Sequence, residues 1–508
     1  MRFQGIRMLG SVRFVLAAAP IVGSVAMAVP AWSAVIDEDI KVFATDGATG
    51  DKFGVAVAVD GGSLAVGAPG DDDNGIDSGA AYLYDANSGA ELFKLTPDDG
   101  LTGDQFGTSV ALAGGVVVVG APGSDDNGAG SGAAYLFDAT TGVQLAKLLP
   151  GDGGDGDAFG NSVAIDGGIV AVGAFMEDGF AVDGGAVYLF DAATGSQLDK
   201  LVPDEDGNRN FGVAIAMDGG VIVVGARMHF DPTDGFTLGA AYLFDVSNGD
   251  QLRRLESDNN TFSDQFGDAV DIDNGTVAVG AWAKSIFFDH SGAAYLFDAD
   301  NGAQLAYIVP EDGHDRDHFG KSVSISDGIV AIGADEDDDR GESSGSAYLY
   351  DMSSSALSDK LLIGSGVSFD RFGSSIAIDG DLVASGAIGF GGSGTQTGYV
   401  GVFGASETSG VFGEMSAARN RPVASPNPFR AGTTLSYTLD HPGRVQLDVI
   451  SVTGQRVRTF VNDETSVGTR QIEWDGLDGN GRNVPGGVYF VRVQQGGAET
   501  WGRVVRLQ

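Results

Sequence analysis

Residues 53–69 read FGVAVAVDGGSLAVGAP and contain two strand-length apolar runs joined by an Asp-Gly-Gly link. The leading Phe-Gly pair recurs along the chain at intervals of 52 to 55 residues. The Phe residues of these pairs are Phe53, Phe106, Phe159, Phe211, Phe266, Phe319 and Phe372. A fixed period of this length is the signature of a repeat architecture, so the period decides the fold.

Each repeat predicts four strands and no helix. In the first unit the two runs are followed by strand-length runs at residues 79–85 and 91–95. Glycine in the link between runs one and two supplies the positive φ of a tight hairpin. The first two runs are almost continuously apolar, as at residues 116–119, so both faces of each sheet should be covered. In a closed ring of four-stranded sheets, every sheet has a neighbouring sheet on each of its two faces. The sequence therefore predicts an all-β, seven-bladed β-propeller over residues 35–404.

The first strand of the chain is expected to close this ring. Residues 36–43 precede the first Phe-Gly pair by the offset at which residues 92–96 precede the second, and Lys41 matches Lys94. The seventh unit ends near Phe403 without a fourth strand. We therefore expect residues 36–43 to complete the last blade, which removes an exposed sheet edge.

Phe-Gly followed by Val-Gly-Ala-Pro resembles the FG-GAP repeat of integrin α-subunit propellers, and the compact unit is similar to a bacterial FG-GAP subfamily. The full motif is present at residues 67–69 and 120–122. Later units keep Gly-Ala and replace Pro, which we interpret as decay of function in each unit rather than of fold. The replacements are Phe175, Arg227, Trp282, Asp335 and Ile388. Integrin-like repeats hold Ca²⁺ in an Asp-rich loop between the first two strands, where this chain has a tight turn, so that metal site is not carried over.

The N-terminus predicts export. Three arginines precede the apolar residues 14–28, and small residues allow cleavage after Ala28 or Ala34. We expect a signal peptide within residues 1–34 and no transmembrane helix in the mature chain. A retained membrane anchor is the alternative.

The C-terminus predicts a second domain. Residues 405–424 lack the strand pattern and are expected to be a linker. Residues 425–508 then contain Pro-Asn-Pro-Phe, Trp-Asp-Gly and Gly-Val-Tyr-Phe in that order. These motifs resemble the FlgD-like Ig-like domain and are similar to the type IX secretion (type A) sorting domain. The resemblance implies a small Ig-like β-sandwich that engages export machinery for release or surface attachment, and a plain spacer domain is the alternative.

The charge restricts the partners. The chain of 508 residues has a formal net charge of −41. Residues 421–508 contain ten Arg against eight acidic residues, so the acidic part is the propeller. Nucleic-acid binding needs a basic surface and is excluded as a function. With no Cys, the chain forms neither disulfides nor thiolate metal sites.

Acidic loops are the candidate metal sites. Loops from strand two to three and from strand four to the next blade emerge on one face of a propeller, and here they are rich in Asp. Clustered carboxylates suit Ca²⁺, the one cofactor that the sequence suggests, although a full EF-hand loop is missing. The candidate ligands are Asp71, Asp73 and Asp77 in the first unit and Asp335, Asp337 and Asp339 in the sixth. Solvated charge that keeps the protein soluble is the alternative.

The function predicted from these features is binding. The chain has no Gly-x-Ser-x-Gly elbow, P-loop or His-Glu-x-x-His motif, and no two carboxylates stand out as an acid and a base. We expect a secreted or cell-surface adhesion protein, without catalysis, whose acidic loop face contacts an extracellular macromolecule or glycan. The alternative is an exported propeller enzyme that acts on polysaccharide. Buried ionisable groups that converge at the axial mouth with shifted pKa values would favour the enzyme.

Overall fold

The computed structural model describes residues 34–506 with short gaps. The gaps are 180–182, 205–209, 232–235, 260–262, 286–288, 353–355, 365, 390–396, 405–422, 426–431, 440–443, 452–455, 463–467, 480, 486 and 496–497. The predicted signal peptide therefore lies outside the described residues except for Ala34, and so does all but the end of the predicted linker. Every regular element in the described part is a β-strand. A search of that part for a helix long and apolar enough to cross a membrane finds none.

Two short strands precede the first blade, and the first three blades follow as four-stranded antiparallel sheets in chain order. The leading strands are β1 (Ala34–Asp37) and β2 (Ile40–Val42). Blade one contains β3 (Val57–Asp60), β4 (Ser63–Ala68), β5 (Ala80–Asp85) and β6 (Ala90–Leu95). Blade two contains β7 (Ser109–Ala113), β8 (Val116–Ala121), β9 (Ala133–Asp138) and β10 (Gln144–Leu148). Blade three contains β11 (Phe159–Asp166), β12 (Ile169–Ala174), β13 (Ala186–Asp191) and β14 (Gln197–Leu201).

The remaining blades repeat the order, with a small added hairpin in blade four. Blade four contains β15 (Phe211–Asp218), β16 (Val221–Ala226), the hairpin β17 (Phe230–Asp231) and β18 (Phe236–Thr237), β19 (Ala240–Asp245) and β20 (Gln251–Leu255). Blade five contains β21 (Ala269–Asp273), β22 (Thr276–Ala281), β23 (Ala293–Asp298) and β24 (Gln304–Ile308). Blade six contains β25 (Phe319–Ser326), β26 (Ile329–Ala334), β27 (Ser346–Asp351) and β28 (Ala356–Leu362). Blade seven contains β29 (Phe372–Asp379), β30 (Leu382–Ala387) and β31 (Tyr399–Phe403), with β2 as its fourth strand.

The Phe-Gly pair repeats because its two residues serve two blades. Phe106 is fully buried and packs edge-on against Tyr135 at 5.5 Å between ring centroids, within its own blade. Gly107 has φ +94, and a Cβ there would lie 2.2 Å from the carbonyl oxygen of Ala80 in the preceding blade. Burial of each such Phe contributes roughly 1.5–3 kcal/mol, and each such Gly lets neighbouring blades approach backbone to backbone. The predicted all-β propeller is confirmed.

Both ends of the propeller meet in the seventh blade. Strand β2 pairs antiparallel with β31. Across the adjoining boundary, the backbone N–H of Gly61 donates to Asp379 Oδ2 at 2.9 Å, and Ser375 Oγ donates to the carbonyl of Gly54 at 2.7 Å. The first and seventh blades are therefore joined by hydrogen bonds as well as by packing.

The closing strand is shorter than the sequence predicts. Of residues 36–43, Ile40–Val42 form the strand in the seventh blade, and the backbone N–H of Asp39 also donates to the carbonyl of Val402 at 2.9 Å. Ile36 and Asp37 belong to β1, which runs parallel to β28 at the outer edge of the sixth blade. The prediction of one strand across this segment is wrong for its first residues, because the unpaired edge of β28 accepts them instead.

The chain crosses between blades six and seven at Glu38, whose side chain explains the break. Glu38 Oε2 accepts a hydrogen bond of 2.6 Å from the backbone N–H of Gly364, in the last loop of blade six. Gln144 makes the equivalent contact with the backbone N–H of Asp98, at 3.0 Å. Glu38 therefore takes the position that Gln144 has in blade two, although the strand itself begins at Ile40, and β1 lies before it as an extra element.

The C-terminal strands form two sheets. One has the order β32 (Val423–Ser425), β33 (Thr433–Leu439) and β36 (Gly468–Trp474). The other has the order β35 (Arg456–Asn462), β34 (Val445–Ser451), β37 (Gly487–Gln495) and β38 (Ala498–Arg506). Trp474 is fully buried and packs edge-on against Tyr489 at 5.4 Å, so aromatic side chains of both sheets share one core. Since β32 already pairs with β33, the domain begins before residue 425, the predicted boundary.

Candidate functional site

One end of the propeller carries the side chains that vary from blade to blade. The first strands of neighbouring blades pack against one another around the whole ring, which places them at the axis. Each first strand begins, and each second strand ends, at the same end of its blade. We call this end the loop face, and residues next to Phe-Gly and after Gly-Ala lie at its centre.

A lysine lies at the centre of the acidic group on the loop face of blade one. Lys94 Nζ is 2.7 Å from Asp46, 2.8 Å from Asp71 and 2.6 Å from Asp73. The Tyr82 hydroxyl lies 2.8 Å from Asp46 Oδ1 and 2.9 Å from Asp71 Oδ2 and donates its one hydrogen to either carboxylate. Because Asp46 precedes the first Phe-Gly pair, this lysine cluster ties the loop that leads from blade seven to blade one.

Three other blades have the same lysine cluster. In each, a lysine of the fourth strand reaches acidic groups of two loops at distances of 2.5 to 3.1 Å. The members are Lys147 with Asp99, Asp126 and Tyr135 in blade two; Lys200 with Asp152, Glu177 and Tyr188 in blade three; and Lys360 with Asp312, Asp337, Asp339 and Tyr348 in blade six. The cluster is thus a repeated part of the fold.

Blade five supplies the cation from a different strand. Lys284 follows β22, in the place that Asp71 has after β4, and Tyr307 takes the place of Lys94. Lys284 Nζ lies 2.7 Å from Asp264, and the two side chains are only 4% and 2% exposed. The ammonium therefore remains beside the acidic loop although the sequence positions have changed.

Blade four replaces the carboxylate with an imidazole. His229 takes the place of Asp71, and its Nδ1 is 3.3 Å from the Tyr242 hydroxyl. Arg254, in the place of Lys94, lies 3.4 Å from His229 Nε2 and 2.7 Å from Glu256. In this blade, therefore, an imidazole contacts the tyrosine of the third strand and the cation of the fourth strand, where blade one uses a carboxylate.

Lysines help to keep two of these carboxylates, Asp46 and Asp126, ionised. Burial opposes ionisation of Asp46, but hydrogen bonds from Lys94 and Tyr82 outweigh burial and hold its pKa below the usual range. Lys147 likewise lowers the pKa of Asp126 against the effect of burial. A carboxylate held in this way is a poor proton donor or acceptor near neutral pH.

The calcium candidates of the first unit lie in this environment. Carboxylate oxygens of Asp46, Asp71 and Asp73 come within 4.8 Å of one another, whereas Asp77 is outside that group. Calcium takes about six to eight oxygen ligands. It would have to displace the ammonium of Lys94, so the residues do not fit Ca²⁺ while that side chain stays in place. Calcium here stays a prediction.

The candidates of the sixth unit are divided. Asp337 and Asp339 contact Lys360, at 3.1 and 2.6 Å. Asp335 Oδ1 instead lies 3.3 Å from Nδ1 of His318. Two of the three predicted ligands therefore share a lysine, as in blade one.

A different group occupies the centre of the loop face over blades four to six. Asp268 Oδ1 accepts a hydrogen bond of 2.9 Å from Arg227, and Oδ2 accepts one of 2.8 Å from the indole N–H of Trp282. Lys321 Nζ is 3.3 Å from Asp268 and 5.2 Å from the ring centroid of Trp282. We call these four residues the central cluster. Burial opposes ionisation of Asp268, yet Lys321 and Arg227 hold its pKa below the usual range.

The central cluster continues onto its neighbours. The guanidinium of Arg227 lies 5.7 Å from the ring centroid of Phe175 in blade three. On the other side, the ring of His318 meets Trp282 edge-on at 4.7 Å. Contacts thus run from blade three to blade six across the centre of the face.

The sequence contained a signal for this cluster. Arg227 and Trp282 are two of the residues that replace Pro after Gly-Ala, which the sequence analysis interpreted as decay. Asp268 and Lys321 each follow a Phe-Gly pair directly. Charged and aromatic replacements at two positions that meet at the axis mark a site, but their meeting depends on contacts between blades.

Models of two known families match this chain. A model of the FG-GAP repeat matches residues 37–84, 90–137, 143–190, 196–244, 250–297 and 303–350, more than half of the chain. The chain belongs to the FG-GAP repeat family. A FlgD Ig-like domain model matches residues 429–499. Both resemblances drawn from the sequence are confirmed, and this FG-GAP protein has a seventh sheet beyond the six matched repeats.

The chain is also similar to a solved structure with a surface role. That structure is PorZ, described as an essential bacterial surface component of the type IX secretion system of Porphyromonas gingivalis. The sequences are 13% identical, the TM-score is 0.45, and the similarity covers 92% of this chain. The chain spans 61% of the length of that structure. No curated protein matches the chain.

Proposed function

We propose that this FG-GAP protein is a secreted or cell-surface binding protein, without catalysis, whose loop face contacts an extracellular macromolecule or glycan. The observation that carries the proposal is the contrast on that face between a repeated frame and a varied centre. Lysine clusters recur in blades one, two, three and six, whereas the residue after Gly-Ala differs between blades three, four, five and six. A rigid frame that presents different side chains at one place is suited to recognition.

The rim of the loop face supports contact with cationic or hydroxyl-rich partners. Asp72, Asp98, Asp125 and Asp338 are exposed there. Such carboxylates draw oppositely charged groups at long range and accept hydrogen bonds from sugar hydroxyls. Calcium bridging is a further proposal for this rim, with the lysines as competitors for the same oxygens.

The absence of catalysis is supported by where the proton-binding carboxylates lie. Burial raises the pKa of Asp271, Asp317 and Asp359 to about 6 in each case. Asp271 lies in β21, Asp317 before the sixth Phe-Gly pair and Asp359 in β28 at an outer edge. An acid and base must act on one substrate, and these three groups lie in separate elements of blades five and six. Burial also raises the pKa of the aspartates that take the place of Asp317 in blades one to three and of two aspartates that end first strands, so a raised pKa recurs along the fold rather than at one place; these are Asp51, Asp104, Asp157, Asp218 and Asp273.

Export and surface location are proposed from the ends of the chain. The basic and apolar N-terminal residues support a signal peptide, and the FlgD Ig-like match supports a domain that engages export machinery. In the described sandwich, Asp448 is fully buried and pairs with Arg492 at 2.8 Å. Residues 421–508 carry a small excess of Arg, which distinguishes the domain from the acidic propeller.

The test is a retention experiment with immobilised full-length protein. Surface polysaccharide and surface protein extracts are passed over it, first with Ca²⁺ and then with a chelator. We expect at least one component to be retained, and retention that survives the chelator would separate binding from calcium. If no component were retained under either condition, the proposed function would be contradicted. Turnover of a retained polysaccharide would support the enzyme instead.

A further inference from the structure

Two exposed methionines lie next in sequence to Arg227 of the central cluster and to Phe175, its neighbour in blade three. Met176 and Met228, which follow Phe175 and Arg227 in the chain, are 41% and 40% exposed. Blades one and two have glycine in the corresponding places, Gly70 and Gly123. The face therefore changes from small residues over blades one and two to large apolar residues over blades three and four.

The central cluster also carries an excess of positive charge. One carboxylate, Asp268, is shared by two cations, Arg227 and Lys321, whose side chains remain 32% and 34% exposed. The next cation along the face, Arg371, is paired with Glu336 at 2.8 Å and adds nothing to this excess. Asp335, the residue after Gly-Ala in blade six, is only 5% exposed and lies 3.3 Å from His318, so the exposed charges of this group are those of Arg227 and Lys321, which favour an anionic ligand group.

The side chains favour a peptide over a sugar. Arg, Met and aromatic residues are enriched in protein interfaces, and Met adapts its shape to different apolar partners. Stacking of a sugar needs an open aromatic face, but Trp282 is approached by Lys321 and by His318. The available surface consists of two cations, in blades four and six, and two exposed methionines, in blades three and four.

We propose that the central cluster, together with Met176 and Met228, docks an acidic peptide segment of a partner protein. Arg227 and Lys321 bind one carboxylate of that segment, and the methionines pack against apolar side chains beside it. This inference rests on the proposed function and names its class of partner.

The test uses full-length protein and a fluorescein-labelled peptide that alternates Glu and Leu, with binding followed by anisotropy. A Lys–Leu peptide of the same length is the charge control, and unlabelled oligogalacturonate is the sugar competitor. We expect the Glu–Leu peptide to bind at least about tenfold more tightly than the Lys–Leu peptide, as loss of charge-assisted contacts implies, and affinity to fall with added salt.

Variants assign the binding to this place. Arg227→Gln and Lys321→Gln should each weaken binding by about tenfold, and Met228→Ser by about threefold. Asp268→Asn should strengthen binding, because both cations lose their shared carboxylate, and misfolding would not produce a gain. Arg340→Gln is the matched control, since Arg340 is also 32% exposed and paired with one carboxylate, Asp37.

The outcomes separate the two proposals. Equal binding of both peptides, or full affinity in Arg227→Gln and Lys321→Gln, would overturn the inference. Displacement of the peptide by oligogalacturonate at comparable concentration would also overturn it, in favour of an acidic glycan. If surface extracts are still retained by Arg227→Gln as by the parent protein, the proposed function stands and the docking site is elsewhere. If neither extracts nor peptide bind, both proposals fail.

Discussion

Blades one and five both hold a lysine beside the acidic loop, but the two lysines come from different strands. Lys94 belongs to the fourth strand and remains 20% exposed, whereas Lys284 follows the second strand and is almost completely buried. Both blades retain a cation among the loop acceptors, although the lysine that supplies it stands at a different repeat position in each. The difference in burial implies that the two blades depend on their lysines to different degrees.

The largest expected effect is at the buried lysine. Lys284→Ala leaves Asp264 buried beside no ammonium, and the free energy of unfolding should fall by about 3–5 kcal/mol. Urea denaturation measures the change. Lys94→Ala is the matched control and should cost about 1–2 kcal/mol, because Asp46 and Asp73 are 39% and 65% exposed and return to water, while the buried Asp71 keeps the Tyr82 hydroxyl as a hydrogen-bond donor. Equal losses in the two variants would show that burial does not distinguish the blades.

Moving the cation tests whether its origin matters. Lys284→Asp with Tyr307→Lys gives blade five the aspartate and the lysine that blade one has at these two positions. We expect the double variant to be more stable than Lys284→Asp alone by roughly 1–3 kcal/mol, because the new lysine can reach the loop. Denaturation of both single variants and the double variant completes the cycle. Additive losses would mean that blade five cannot take its cation from the fourth strand.

Removing the exposed lysine should uncover affinity for calcium. In Lys94→Ala, Asp46, Asp71 and Asp73 keep their proximity without the ammonium, and about tenfold excess of Ca²⁺ over its dissociation constant should restore about 1 kcal/mol. Thermal unfolding with Ca²⁺ and with chelator measures the gain, and the parent protein should not respond. Lys94→Ala combined with Asp71→Asn should lose the response. A calcium response of equal size in the parent protein would mean that Lys94 does not block the site.

The smallest effect is expected at Asp359, whose pKa is shifted by burial rather than by a lysine. Burial raises the pKa of Asp359 to about 6, so the stability that its protonated form contributes is present at low pH and is lost as pH rises through 6. Asp359→Asn should raise the free energy of unfolding at pH 7.5 by on the order of 1 kcal/mol, after allowance for solvent screening, and change it little at pH 4.

Thermal unfolding across this pH range checks the sign. Asp46 provides the opposite case, because its lowered pKa means that stability is lost as pH falls through the folded-state value. If Asp359→Asn had the same effect at both pH values, protonation of this group would not contribute to stability.

The sequence was sufficient to predict the fold because one short motif recurs at a nearly constant interval. Phe106 and Gly107 mark the place where one blade packs on the next, so the repeat reports a contact directly. The division of residues 36–43 was not predictable in this way. It depends on the edge of β28 and on the backbone N–H of Gly364 that donates to Glu38, both of which lie more than 300 residues away in the chain.

The site was less accessible from the sequence because its groups meet only in three dimensions. Asp71 and Lys94 are separated by 23 residues and Asp46 and Lys94 by 48, so counting carboxylates did not reveal the ammonium among them. The central cluster was visible as replacements of Pro. That these replacements form one cluster depends on their contacts with Asp268, which belongs to the blade after that of Arg227.

The pairing of β2 with β31 sets an order of assembly. Ile40–Val42 leave the ribosome first among the propeller strands, but their partner strand ends at Phe403, so they wait until nearly the whole propeller has been made or translocated. Blades one to six can form from neighbouring residues before that moment. Sealing of the ring is thus the last step, and a protease that removed the N-terminal strand would open one seam while leaving the other blades with their own four strands.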